Sequence, residues 1–132
     1  MNKQDALENT RREIENLQAG ALELARLPDP GDVYALDVSA ATYIDSTQIY
    51  VTLPFDLARY RDYRRDLTGV GWKIKSAFLT NSGQRHACFE REDTDVRLVV
   101  VLNPNLNGST CVCERVGEVT EPVYRVRCGG DA

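Results

Sequence analysis

Leu7, Thr10, Ile14, Leu17, Ala21 and Leu24 recur three and four residues apart in alternation. That is the a/d spacing of a helix whose apolar seam faces another helix, and it predicts a helix over 3–26. Glu8 and Arg12, and Arg11 and Glu15, sit four apart and support the solvent side of the same helix. Pro28-Asp29-Pro30-Gly31 must end it, because proline has no amide hydrogen to donate and pushes its predecessor out of helical geometry. The acidic stretch 29–46 reads as a connector with a short extended piece at Tyr34, Leu36 and Val38.

From Thr47 the period changes to two. Ile49, Val51 and Leu53 alternate with Tyr50 and Thr52, as in a half-buried strand, and Pro54-Phe55-Asp56 breaks the run. Asp56 is placed to cap a second helix over 57–68, with Leu57, Tyr60, Tyr63, Arg64 and Leu67 on its inward arc and Gly69 as its stop. Strands are then expected over 72–78, 84–91 and 95–102, the last being the most apolar and the best candidate for the sheet centre. A loop follows over 103–108. A final hairpin pairs 110–116 with 123–128.

If that hairpin turns between Val119 and Thr120, Glu114 faces Arg125, Val116 faces Val123 and Cys111 faces Cys128. One side then collects Cys111, Cys113, Tyr124, Val126 and Cys128, and the other carries Glu114, Arg125 and Arg127. The order of elements argues an α+β fold: an N-terminal helix, then a small antiparallel sheet of five to six strands with one helix on one face. The corresponding organisation is an oligomerisation or docking helix at 1–28, a connector at 29–46 and an α+β domain at 47–132.

Composition narrows the classes. With 132 residues, 42% hydrophobic and 27% charged, the chain suits one globular domain. It has no apolar run of the roughly 20 residues needed to cross a bilayer and no signal-like leader, so a cytoplasmic location without membrane contact is expected. The net charge of −4 is uneven: residues 1–56 carry four basic and ten acidic side chains, residues 57–132 twelve and ten. Neither half has the strongly basic balance that nucleic-acid domains show.

Candidate chemistry is sparse. Cys88, Cys111, Cys113 and Cys128, with the lone His86, could ligate zinc, but no Cys-x-x-Cys knuckle is present. Reduced core thiols are the favoured reading, ahead of zinc or a Cys111–Cys128 cross-strand disulfide. The second helix interleaves Arg61, Tyr63 and Arg65, which with Lys73 and Lys75 could stack on bases and hold phosphates. Its three aspartates, Asp56, Asp62 and Asp66, leave it almost neutral, so a solvated face is the preferred explanation. The sequence lacks hydrolase, Walker and zincin motifs. A pair such as Glu90 with Glu92 or Asp93 with Asp95 could attempt acid and base work, and Cys88 with His86 nucleophile work, but each is more simply a turn or packing feature.

Gly108-Ser109-Thr110-Cys111, Val116-Gly117-Glu118, Pro122-Val123-Tyr124 and Cys128 resemble the C-terminal part of small uncharacterised proteins encoded by tailed bacteriophages. The likeness spans about twenty residues and transfers no catalytic or binding residue. It implies a phage accessory protein that binds a host or phage protein. The reading that unites these observations is a non-enzymatic protein binder without a cofactor, in the host cytoplasm if phage-encoded. It self-associates or docks through Leu7, Ile14, Leu17 and Leu24.

Overall fold

The computed structural model describes residues 1–41, 46–106, 111–118 and 122–129. Its first helix, α1, spans Lys3–Arg26 and begins in a reciprocal cap: the Asn2 side chain accepts from the Asp5 amide, and Asp5 accepts from the Asn2 amide. Leu27 closes it in an extended conformation ahead of Pro28. Strands β1 (Ala35–Ala41) and β2 (Ser46–Pro54) follow. Helix α2 (Leu57–Gly69) starts at Asp56, whose carboxylate accepts from the Arg59 amide. Strands β3 (Lys73–Leu79), β4 (Arg85–Glu90) and β5 (Val96–Asn103) come next, then a single 3₁₀ turn at Pro104–Leu106, then β6 (Cys111–Glu118) and β7 (Pro122–Cys128).

The fold class is α+β. Five strands form one sheet in the order β1-β2-β5-β4-β3, and β6 and β7 form a separate two-stranded sheet. Three expectations are corrected here. The main sheet is mixed, because β2 and β5 run parallel, with Ile49 beside Leu98 and Val51 beside Val100. The stretch expected to be a connector contributes β1, which pairs antiparallel with β2 along its whole length, Val38 beside Ile49. Gly69 ends α2 as its last helical residue; the left-handed position (φ 98°) is taken by Gly71 two residues later.

Both helices pack on one face of the sheet. Ile49, Val51, Leu53, Ala87, Phe89, Leu98, Val100 and Leu102 point inward and meet Tyr60, Tyr63 and Leu67 from α2, with Trp72 fully buried between helix and sheet. α1 approaches through a small residue. A Cβ added at Gly20 would lie 2.5 Å from Val38 Cγ1 and 2.8 Å from Thr47 Cγ2, so glycine sets the helix-to-sheet distance. Thr47 also donates its hydroxyl to the Asn16 carbonyl at 3.2 Å.

The hairpin β6–β7 keeps the expected register through Cys111–Cys128, Cys113–Val126 and Glu114–Arg125. It then slips: Val123 faces Gly117, and Val116, expected opposite Val123, is left in a bulge. The expected turn at Val119 and Thr120 falls outside the described residues.

Candidate functional site

The side of α1 that packs inward is defined by Asn16, Gly20, Glu23 and Leu27. At 3.6 residues per turn the seam Leu7-Thr10-Ile14-Leu17-Ala21 lies roughly 130° round the helix from that line. It therefore faces solvent. Leu7 is 51% exposed, Ile14 50% and Leu17 38%. Leu24 departs from the set, since it packs against the protein's own core. Among the described residues none of the first thirteen of α1 is fully buried, and only Asn9, on the inward line, is half-buried, so the apolar stripe lies open along the other side. The Thr10 hydroxyl, the polar group in the stripe, donates to the Ala6 carbonyl at 2.9 Å and leaves no open donor there.

Besides the close approach at Gly20 and the packing of Leu24 and Leu27, a polar contact not foreseen from the sequence holds α1 in place. Glu23 is 6% exposed and accepts from Arg91 Nη2 at 2.6 Å. Arg91 also donates to Asp93, and its guanidinium lies 4.9 Å from the centre of the Trp72 ring. A second buried cation sits at the opposite side of the core. Arg85, 3% exposed, stacks on Tyr60 at 4.2 Å and on Tyr124 of the hairpin at 5.6 Å. The sequence signals for these groups were an internal helix glycine, which marks a close approach, and arginines that keep the inward alternation of β4, Arg85 at its start and Arg91 just past its end.

The arginine-tyrosine helix does not assemble a base-stacking platform. Tyr63, expected as a contact residue, is buried and donates its hydroxyl to the Pro28 carbonyl at 3.0 Å. Tyr60 is buried as well, and burial drives both phenols up, Tyr63 to about 12. Arg61 and Arg65 are exposed, with Arg65 facing Asp62 at 3.4 Å, while Lys73 and Lys75 lie 3.9 Å and 3.8 Å from Glu92 and Glu90.

The cysteines separate rather than converge. Cys111 and Cys128 are joined by a disulfide, which corrects the expectation that all four are reduced core thiols. Cys113 is buried beside it, and burial pushes its thiol up to about 11. Cys88 lies on β4 facing the other side of the sheet with His86, which contacts the Phe78 ring at a 5.3 Å centroid distance. Among the described residues no three His, Cys, Asp or Glu side chains are grouped as metal ligands, and Cys88 lies apart from Cys111, Cys113 and Cys128.

The acidic pairs lie at the margin of the sheet. A cleft of about 470 Å³ runs between Asn16 and Ala19 of α1 and the turn holding Glu92, Asp93 and Asp95. Asp93 is committed to Arg91, which holds its carboxyl below the ordinary value. No helix among the described residues is long and apolar enough to cross a membrane. No protein family, no curated protein and no solved structure matches the chain.

Proposed function

We propose that this is a non-enzymatic protein-binding protein whose contact surface is the exposed side of α1, used for docking or self-association. The observation that carries the reading is the exposure of Leu7, Ile14 and Leu17 on a helix whose opposite flank is already anchored by Gly20 and the Glu23–Arg91 pair. Scattered exposed apolar residues are ordinary, but a stripe at heptad spacing along the open side of a helix is the pattern that helix partners bury. A phage accessory protein acting on a host or phage protein in the host cytoplasm is the biological setting we propose, on the likeness of its C-terminal segments.

The test compares the full chain with an Ile14→Glu, Leu17→Glu variant. Both side chains are solvent-exposed in the single protomer, so the variant keeps its fold and its thermal melt. The wild type is expected to self-associate in light scattering or to retain a protein that the variant loses. Equal masses together with an identical set of co-purifying proteins would dismiss the surface.

A further inference from the structure

We infer that the occupant of the α1 surface is α1 of a second copy, paired parallel and in register, so that the protein is a weak two-fold homodimer; this rests on the docking reading above and names its partner.

Three observations select that arrangement. The first concerns the charges beside the seam. In a parallel pair the residue before each a position faces the residue five further on in the other helix. Ala6 then meets Arg11 of the second copy, and Glu13 meets Gln18. No like charges touch. An antiparallel pairing over the free half of the helix, with Leu7 against Leu17, sets Glu13 against Glu13 and Arg11 against Arg11. The other antiparallel register, with Leu7 against Leu24, needs a leucine already packed on its own core.

The second observation is the identity of the seam residues. Ile14 at an a position and Leu17 at the next d position are the side chains that two-stranded parallel helices favour. Thr10 enters the contact with its hydroxyl already bonded to Ala6.

The third is the placement of the rest of the molecule. The sheet joins α1 roughly 130° away from the seam. A two-fold axis running alongside the helix therefore carries the two sheets to opposite sides of the helix pair, where they do not collide.

The seam offers little more than two heptads, from Leu7 to Ala21, so association is shallow and concentration-dependent. Sedimentation of the full chain from about 10 µM to about 1 mM, the range such a short contact spans, should show the mass rising toward twice that of one chain. The Ile14→Glu, Leu17→Glu variant should stay monomeric throughout. Orientation is read from Leu7→p-benzoylphenylalanine in a mixture of nitrogen-15-labelled and unlabelled copies. Photo-crosslinks between copies are expected at residues 3–14. Links to 17–24 instead would overturn the parallel pairing while leaving the surface itself intact. A chain that remains monomeric at every concentration would overturn the second copy as occupant, again without touching the docking reading, which falls only by the comparison of captured proteins given above.

Discussion

Arg91 is held from three directions, by Glu23 on α1, by Asp93 in its own turn and by the face of Trp72. Its side chain is 13% exposed and that of Glu23 7%, so the pair is largely shielded from water. Removing one member of a buried pair costs more than the pair is worth, because the charge left behind has lost its solvent. Glu23→Ala should destabilise the protein by about 3 kcal/mol, measured by urea unfolding, with Asp93 retaining part of the cation's compensation. His86 gives a pH-dependent case. Burial lowers its pKa from 6.5 in the folded chain, so between that value and the lower folded one the unfolded chain binds more protons. The sign follows: this group adds nothing above its unfolded value and subtracts stability as pH falls through it. Between about pH 7.5 and about pH 5.5 the wild type should lose more melting temperature than His86→Gln, and an equal loss would remove His86 from the balance.

Element by element, the chain announced itself wherever apolar residues recur at one period, whether that face is buried, as in β2 and α2, or open to solvent, as in α1. The three-and-four spacing of α1, the alternation of β2 and the inward arc of α2 all match the structure, and the hairpin register from Cys111 to Glu114 follows from facing charges and from apolar residues gathered on one side. The parallel pairing of β2 with β5 was not legible, because alternation reports which side of a strand is apolar and says nothing of which neighbour it takes. β1 was hidden for a related reason. It is an edge strand with Leu36 40% exposed and only Val38 and Ala40 half-buried on the face toward the core, too little pattern to outweigh its polar company. The seam residues Leu7, Ile14 and Leu17 were visible as candidates, whereas Tyr63 and Leu24 were misplaced by assigning side chains to surfaces before knowing what lay opposite. Gly20 illustrates the same limit. Helix propensity favours alanine over glycine by about 1 kcal/mol. The 2.5 Å approach to Val38 Cγ1 reverses that preference. Gly20→Ala is expected to lower stability by about 1–3 kcal/mol, read by thermal melts, and a rise would mean that α1 can lift from the sheet without loss.

At the scale of the molecule, the protein is a mixed sheet with both helices on one face and a clasped hairpin docked at one end. The hairpin reaches the main sheet through Cys113, whose amide donates to the Gly83 carbonyl at 2.9 Å, and through Tyr124 on Arg85. Its disulfide spans 17 residues, and loop closure of that length restricts the unfolded chain by about 3 kcal/mol. Cys128→Ser should lower the melting temperature accordingly. Alkylation of the unfolded wild type under non-reducing conditions should label Cys88 and Cys113 alone; four labelled thiols would show that the bond does not form. The parallel contact between β2 and β5 has a consequence for how the chain is made. Ile49 leaves the ribosome long before Leu98, the residue it will lie against, so β2 must wait with one flank satisfied only by β1. The β3–β4–β5 meander closes over short loops and is expected to form early. Joining the two halves then sets the pace of folding, and during that interval an apolar strand edge is open to capture by a chaperone or by a neighbouring nascent chain.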